Sequence, residues 1–233
     1  MGKTTQIDQD GTVYAGEYIS GAPGGYGKLY LPDGMVFTGT FKSGVPDGEG
    51  RMVTSKGVYY EGEVSNGKTS GQGKLVNSAK NYSYDGSWKE GMPEGDGIET
   101  WEDSSYDGSF KNGLKDGSGV YKQSNQYEYS GEFMDGDFNG QGRITYTNGQ
   151  SYVGSFRNGK FEGYGVYRWP DAEYKGEFRE GLKHGKGKYT RSDGTEFEGM
   201  WENGRRHGEG RLTKKGKVTN GLWVNDKIVA TNP

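Results

Sequence analysis

The fold of this chain is decided by the stretch Tyr174-Lys175-Gly176-Glu177-Phe178-Arg179-Glu180-Gly181-Leu182-Lys183-His184-Gly185-Lys186-Gly187. It opens with two aromatic residues, Tyr174 and Phe178, which stand four positions apart with Gly176 midway between them. Because strand side chains alternate between two faces, both rings share one face and the polar residues between them take the other. The small glycine leaves room for the rings to cover the backbone. The stretch therefore predicts a β-strand with one aromatic and one wet face, followed by a glycine-containing loop.

The same pattern occurs nine times, and its starting aromatic residues are 22 to 24 residues apart. We number each copy from its starting residue, position 0. Glycine then occupies positions 2, 7, 11 and 13 of every copy, and these account for 36 of the 45 glycines. Self-similarity at a fixed period of this length indicates a repeat architecture. Copies one to nine start at Tyr14, Phe37, Tyr60, Tyr84, Tyr106, Tyr129, Tyr152, Tyr174 and Phe197.

Each copy is predicted to be a β-hairpin. A glycine-containing loop, such as residues 158–163, joins the two strands, and the second strand follows the Gly-x-Gly pair. In different copies this strand carries Leu29, Leu75, Ile144, Tyr167 or Tyr189. Between copies, dipeptides such as Asp10-Gly11 and Asn148-Gly149 favour tight turns with positive φ. An isolated hairpin is marginal in water, so the copies must stack on one another.

The predicted fold class is all-β: an elongated single-layer sheet of stacked antiparallel β-hairpins, with about nine and a half repeats. Residues 14–217 hold the nine copies. Residues 1–13 are expected to form a half-hairpin or cap, and residues 218–233 a truncated tenth repeat and a second cap. No apolar run approaches the ~18 residues of a membrane-spanning helix, which favours a cytoplasmic location.

The composition argues against several classes of protein. Only 29% of residues are hydrophobic and the mean hydropathy is -1.00, so aliphatic residues cannot fill a conventional two-layer core. The absence of cysteine excludes disulfides, thiolate metal sites and cysteine nucleophiles. Residues 62–69 match the phosphate-binding pattern G-x-x-x-x-G-K-[ST], but further glycines at the repeat spacing replace the required helix. No unique polar cluster stands out, so we expect no enzyme activity, cofactor or metal.

The unit resembles the MORN repeat (membrane occupation and recognition nexus), whose pattern is roughly Tyr-x-Gly-x-Trp-x-x-Gly-x-x-x-His-Gly-x-Gly. Copy eight follows it closely, and so does copy nine, through Trp201 and His207-Gly208-Glu209-Gly210. Val64 replaces the second aromatic residue in copy three. The resemblance implies an elongated, curved sheet with a groove lined by strand aromatics. Repeat-only members include radial-spoke-head components of cilia and cytoskeletal MORN proteins of protists, which organise assemblies rather than catalyse.

The aromatic stripe is first of all the stacking core, but a single-layer sheet offers no second layer to bury it. We therefore expect some rings to form a groove for protein partners, with an amphipathic helix as one partner type. The groove candidates are Tyr84, Trp88, Tyr106, Phe110, Tyr129, Phe133, Tyr152, Phe156, Tyr174, Phe178 and Trp201. The leading hypothesis is a scaffold in a cytoskeletal or ciliary, radial-spoke-like assembly. Exposed sheet edges also allow an end-to-end homodimer.

A second hypothesis is a peripheral membrane module that binds anionic phospholipids. Residues 168–217 contain 13 Lys or Arg against 9 Asp or Glu, whereas the rest of the chain has 16 against 23. The candidates for contact with anionic lipid or an acidic partner are Lys183, Lys186, Lys188, Arg205, Arg206, Lys214, Lys215 and Lys217. Ordinary surface charge, interleaved with Glu198, Glu202 and Glu209, explains the same excess. Nucleic-acid binding is not expected, because the net charge is -3 and no nucleic-acid motif is present.

Overall fold

The computed structural model describes residues 3–232; Met1, Gly2 and Pro233, which belong to the predicted end segments, lie outside it. The chain divides into two compact units, of which unit 1 ends at Lys115 and unit 2 begins at Asp116. The described residues form β-strands joined by turns, and their one helical element is a single 3₁₀ turn at Ser78–Lys80.

Unit 1 contains ten strands, and each pairs antiparallel with the next along the chain. They are β1 (Lys3–Ile7), β2 (Val13–Ile19), β3 (Ala22–Tyr30), β4 (Val36–Lys42), β5 (Val45–Val53), β6 (Tyr59–Ser65), β7 (Lys68–Asn77), β8 (Tyr82–Lys89), β9 (Met92–Thr100) and β10 (Ser104–Lys111). The phosphate-binding match at residues 62–69 spans the end of β6, a turn and the start of β7. It is part of a hairpin and has no helix N-terminus behind it.

Unit 2 repeats this order of strands, with antiparallel pairing between successive strands from β11 to β21. They are β11 (Leu114–Gln123), which contains the unit boundary, β12 (Tyr127–Met134), β13 (Asp137–Tyr146), β14 (Ser151–Arg157), β15 (Lys160–Trp169), β16 (Ala172–Arg179), β17 (Leu182–Arg191), β18 (Glu196–Glu202), β19 (Arg205–Lys214), β20 (Lys217–Val224) and β21 (Lys227–Asn232). Strands β20 and β21 make a tenth hairpin with both strands present, where the sequence predicts a truncated repeat.

The loop inside each hairpin is shorter than predicted. In copy seven, Arg157 pairs with Lys160, so only Asn158 and Gly159 lie between the strands. Their φ angles are 48° and 75°, the two positive values of a type I′ turn, whose twist matches that of the flanking strands. The second strand therefore starts at Lys160, before the Gly-x-Gly pair, and the predicted six-residue loop at residues 158–163 is wrong.

A pair of glycines lies beneath the starting ring in the eight copies whose two strands lie within one unit. In copy seven Gly154 faces Gly165, and a Cβ atom added to either would fall within 3.0 Å of the Tyr152 side chain. The strand register shifts just after Gly154, and the Tyr152 hydroxyl donates a hydrogen bond to the Ser155 carbonyl at 2.9 Å. The bulge thus frees a carbonyl that the ring itself satisfies. The same hydrogen bond is made by Tyr14, Tyr60, Tyr84, Tyr106, Tyr129, Tyr152 and Tyr174.

The rings pack edge to face within each unit. In unit 2, the Tyr152 ring centroid lies 5.2 Å from that of Phe156 and 5.1 Å from that of Phe178 in the next copy. Contacts of this kind continue from Phe133 to Trp223. Each adds ~0.5–1.5 kcal/mol beyond the burial of its area. The predicted all-β chain of stacked antiparallel hairpins is confirmed.

Candidate functional site

The first-strand rings lie in the interior. The eleven rings predicted to line a groove are between 0 and 8% exposed: Tyr84, Trp88, Tyr106, Phe110, Tyr129, Phe133, Tyr152, Phe156, Tyr174, Phe178 and Trp201. Each starting ring has other rings beside it, and in copies six and seven a ring of the second strand stacks on it. The expectation that a single-layer sheet leaves these rings uncovered is wrong, because side chains of the same face cover them.

The residue at position 9 lies on the same face as the starting ring of its own copy, and we call it the cover residue. Phe138 stacks on Tyr129 with the centroids 3.8 Å apart and the planes 9° from parallel. Phe161 stacks on Tyr152 at 3.9 Å in the same way. The backbone fixes this position, since the Phe138 carbonyl accepts a hydrogen bond at 2.9 Å from the turn glycine Gly159 of the next copy.

The cover residues differ in chemistry along the chain. In copies one to five they are Pro23, Pro46, Thr69, Pro93 and Lys115, and in copies six to nine they are Phe138, Phe161, Lys183 and Arg206. All nine are partly buried. Proline predominates in unit 1, whereas unit 2 has two aromatic rings followed by two cations. The glycine positions are therefore the same in both units, but the cover residues on the outer surface differ.

A second line of side chains lies beside the covers at position 15. These residues pair directly with the starting residues, as Tyr167 does with Tyr152 and Tyr189 with Tyr174, so they point to the same face. Tyr167 and Tyr189 are partly exposed, whereas Ile144 is only 5% exposed. We define the outer row of unit 2 as Phe138, Phe161, Tyr167, Lys183, Tyr189, Arg206 and Leu212.

Lys183 lies in an aromatic cage. Its Nζ atom is 4.2, 5.2, 5.6 and 5.8 Å from the ring centroids of Trp201, Tyr189, Tyr174 and Trp169. Rings at these distances attract a cation through their negative faces. Burial nevertheless lowers the pKa of Lys183 below its ordinary value, an effect that Asp226 partly opposes. Lys183 makes no ion pair with any residue in the described part of the chain.

Arg206, the next cover, has an internal counter-ion. Its Nε atom lies 3.1 Å from Oδ1 of Asp226, and its guanidinium is 4.5 Å from the centroid of Trp223. Burial acts to raise the pKa of Asp226, but the hydrogen bonds from Arg206 outweigh it and hold the pKa below its ordinary value. The charge of Arg206 is therefore already paired with a residue of the same chain.

The structure does not bring the eight basic candidates into one patch. They fall into four places: Lys183 and Arg206 in the outer row, Lys186 and Lys188 on the polar face, Arg205 beside the hairpin turn of copy nine, and Lys214, Lys215 and Lys217 around the turn that follows copy nine. A stretch of sequence with net positive charge is thus divided between two faces and two ends of the strands. Its excess charge cannot act at a single contact.

A cavity of about 720 Å³ lies on the polar face of unit 2. Its lining includes Tyr164, Lys186, Met200, Glu209 and Arg211. Nearby Lys188 already pairs with Glu196 at 2.9 Å. Lys186 and Arg211 make no ion pair with the residues of the range 3–232. This cavity therefore offers two cations without an ion pair to a described residue, beside two carboxylates and an apolar wall.

The buried tyrosines are held neutral. Burial raises the pKa of both Tyr60 and Tyr84 to about 12, and nearby carboxylates such as Glu63 act in the same direction. The pKa values of Tyr152 and Tyr174 are also raised, again chiefly by burial. Their hydroxyls serve as hydrogen-bond donors to bulge carbonyls, so ionisation would remove a donor as well as bury a charge.

Sequence reasoning missed the cover residues. Position 9 holds proline, threonine, lysine, phenylalanine or arginine in different copies, so no single residue type marks it. The available signal was the two-residue turn at positions 6 and 7, such as Asn158-Gly159. That turn pairs position 9 with position 4, as it pairs Phe161 with Phe156, and places both on the aromatic face.

Two kinds of feature are absent from residues 3–232. None of the described histidine, aspartate and glutamate side chains gather in a group of three or more that could hold a metal ion. No helix in this range is long and apolar enough to cross a membrane.

Comparison with known proteins identifies the repeat. The family profile for "MORN repeat" matches nine segments: residues 14–36, 37–59, 60–78, 84–105, 106–126, 129–151, 152–172, 174–196 and 197–216. No curated protein matches the chain. One similar solved structure is the SAS-4 (dCPAP) TCP domain of Drosophila melanogaster in complex with a proline-rich motif of Ana2 (dSTIL). It is 11% identical over 91% of this chain and 90% of that domain, but its TM-score of 0.26 is too low to support a structural argument. The nine consecutive profile matches, which cover well over half of the chain, show that it belongs to the MORN-repeat family.

Proposed function

We propose that this chain is a non-catalytic scaffold that binds segments of other proteins along the outer row of unit 2. MORN repeats are modules for protein or membrane interaction. The observation that carries the proposal is the partial exposure of contiguous aromatic residues, among them Phe138, Phe161, Tyr167 and Tyr189, on the face that also holds the core. Partly exposed rings offer a partner a large apolar area on a rigid base.

The proposed binding surface lies outside the first-strand rings that the sequence predicts to line a groove. Polar substitution of a first-strand ring such as Phe156 would collapse the stack and lose binding and folding together. Tyr167 and Tyr189 are better probes, because each lies above the core and neither is fully buried. Tyr164 on the polar face, 64% exposed, provides a matched control.

The test is affinity capture from native cell extract with three proteins: wild type, the double variant Tyr167→Ser/Tyr189→Ser, and Tyr164→Ser. Circular dichroism must first show equal folding. We expect the double variant to lose the proteins that wild type retains, and Tyr164→Ser to retain them. Equal capture by all three folded proteins would contradict binding through the outer row.

We place this scaffold in the cytoplasm, within a cytoskeletal or ciliary assembly. Support for this setting comes from the resemblance to repeat-only MORN proteins. The proposal includes an end-to-end homodimer, because each of the end strands β1 and β21 pairs with one neighbour among the described strands. Light scattering on the purified chain measures the homodimer, and imaging of a fluorescent fusion tests the location.

A second candidate function is contact with anionic phospholipid through the polar-face cavity. The observation that favours it is the pair of available cations, Lys186 and Arg211, at one cavity. Flotation with vesicles of phosphatidylcholine and phosphatidylserine tests it. This function requires wild type to float and Lys186→Glu/Arg211→Glu to remain in solution, whereas flotation of neither protein, or of both equally, contradicts it.

A further inference from the structure

Lys183 differs from the other cationic cover residues. Lys115 in copy five lies 2.5 Å from Glu99, which is position 15 of the preceding copy. Arg206 in copy nine is paired with Asp226. Lys183 has the four rings of its cage and no ion pair with a described residue. Among the described residues, one cover cation of three thus makes no ion pair.

The cause lies one copy earlier. The residue equivalent to Glu99 in the copy before Lys183 is Tyr167, which bears no charge. The nearest alternative, Asp226, is already occupied, because its Oδ1 atom accepts hydrogen bonds from both the backbone N–H and Nε of Arg206. A buried cation without a partner is costly, so a counter-ion supplied from outside would be bound strongly.

The structure has room beside Lys183 for a side chain. A cavity of about 310 Å³ adjoins it; Tyr189, Trp201 and Leu212 form apolar parts of its lining, and the ion pair of Arg206 and Asp226 lines it as well. Apolar walls with a few placed polar groups are typical of sites that orient a small bound group. The walls suit an apolar side chain, and the one uncommitted charge suits a carboxylate.

We propose that Lys183 is the specificity residue of the outer row and that it pairs with an aspartate or glutamate of a bound protein segment. This inference rests on the proposed binding function. An apolar neighbour of that acidic residue occupies the adjoining cavity. The Nζ atom is recessed among four rings. A single side chain can reach it there, whereas the flat surface of a lipid bilayer cannot.

The internal pair of copy five provides a test that does not remove the lysine. In Tyr167→Glu, the new carboxylate occupies the place that Glu99 has relative to Lys115, and it should neutralise Lys183 from within. Tyr167→Gln removes the same outer-row ring without adding a charge, so the comparison of these two variants isolates the effect of the carboxylate. Lys183→Gln removes the charge and keeps a polar side chain. Lys186→Gln, on the polar face, removes a lysine three residues away and serves as the control.

The experiment selects random phage-displayed peptides on wild-type protein and then measures the affinity of the selected peptides for all five proteins. We expect an acidic residue to be enriched at one fixed position. Affinity should fall about tenfold or more in Lys183→Gln relative to wild type and in Tyr167→Glu relative to Tyr167→Gln, as expected for loss of a desolvated charge pair, and stay unchanged in Lys186→Gln. Changing the acidic residue of the peptide to its amide should abolish the difference between wild type and Lys183→Gln.

Three results would overturn the inference, and they are distinguishable. Selected peptides without an acidic preference, or with equal affinity for Lys183→Gln, would contradict the role of Lys183 and leave binding along the outer row intact. Selection of no peptide at all would contradict the proposed binding function itself. Vesicles of phosphatidylcholine and phosphatidylserine that float wild type but not Lys183→Gln would assign Lys183 to lipid instead.

Discussion

Copies five and eight place a lysine at the same point of the hairpin and surround it differently. Lys115 lies near the ring of Tyr106 and pairs with Glu99, and both members of the pair are largely buried. Lys183 lies in a cage of rings and makes no ion pair with a described residue. Both lysines occupy position 9 of their copy. The difference teaches that the repeat fixes where a cover residue lies, while the preceding copy determines whether its charge is available.

The largest effect on stability should come from removing the starting ring, which both copies have. Tyr106→Ala and Tyr174→Ala each remove an almost completely buried ring from the core. We expect each to lower the free energy of unfolding by about 3–5 kcal/mol, the usual cost of deleting a buried aromatic side chain. Urea denaturation measures both. Tyr164→Ala on the polar face should cost less than about 0.5 kcal/mol. Equal losses at all three positions would contradict a core on one face.

Removing the counter-ion in copy five should have the next largest effect. Glu99→Gln leaves Lys115 without the carboxylate 2.5 Å away, at a site where both side chains are less than a quarter exposed. We expect a loss of about 1–3 kcal/mol, because the partly buried charge of Lys115 then loses its carboxylate partner. The double variant Glu99→Gln/Lys115→Met should recover most of the loss in the same urea measurement. If Glu99→Gln alone leaves the free energy of unfolding unchanged, the carboxylate of Glu99 does not stabilise the charge of Lys115.

The opposite sign is expected in copy eight. Lys183→Met should raise the free energy of unfolding by about 1 kcal/mol at neutral pH, because it removes a buried charge without stranding a partner. Burial lowers the pKa of Lys183 in the folded state. The cost of its charge is therefore complete below that folded pKa and disappears as the pH rises toward the ordinary value of 10.5.

Denaturation of both proteins across this pH range provides the measurement. Wild type should gain stability relative to Lys183→Met as the pH rises, since the tyrosines are common to both proteins and cancel in the difference. A loss of more than about 1 kcal/mol in Lys183→Met at neutral pH would show that the cation–π contacts outweigh the cost of burial.

The smallest effect on stability should come from removing a hydroxyl of a starting tyrosine, the group that donates a hydrogen bond to a bulge carbonyl in both copies. Tyr84→Phe removes the hydrogen bond to the Ser87 carbonyl and should cost about 1 kcal/mol at neutral pH. Because burial raises the pKa of Tyr84 to about 12, its contribution is complete below pH 10 and is lost between pH 10 and 12, as the unfolded chain ionises first. Wild type should therefore lose more stability than Tyr84→Phe across that window. Parallel curves would contradict burial of this hydroxyl.

The period and the face of each first strand could be read from the sequence, because the rings and glycines recur at fixed positions. Tyr152, Gly154 and Phe156 show this directly, since alternation alone places all three on one face. The burial of these rings could not be read in the same way. It depends on the bulge after Gly154 and on Phe161, a cover residue that has no constant identity in the other copies.

The basic residues show a second limit of the sequence. Lys183 and Lys186 are three residues apart, yet one enters an aromatic cage and the other faces the polar cavity. Net charge over a stretch of strand divides between two faces, so summing it along the chain overstates any patch. The pairing of Arg206 with Asp226 depends on contact between successive copies, which the sequence places only after the two-residue turn is recognised.

Tyrosine accessibility tests the enclosure of the rings most directly. Limited nitration of the native protein, with each site quantified by mass spectrometry, compares rings on the two faces. Tyr26 and Tyr164, 59% and 64% exposed, should react first, and Tyr167 and Tyr189 more slowly. The starting tyrosines of copies four to eight, 0 to 1% exposed, should remain unmodified until the protein unfolds. Nitration of these starting tyrosines as fast as Tyr164 would show an open groove in place of a covered core.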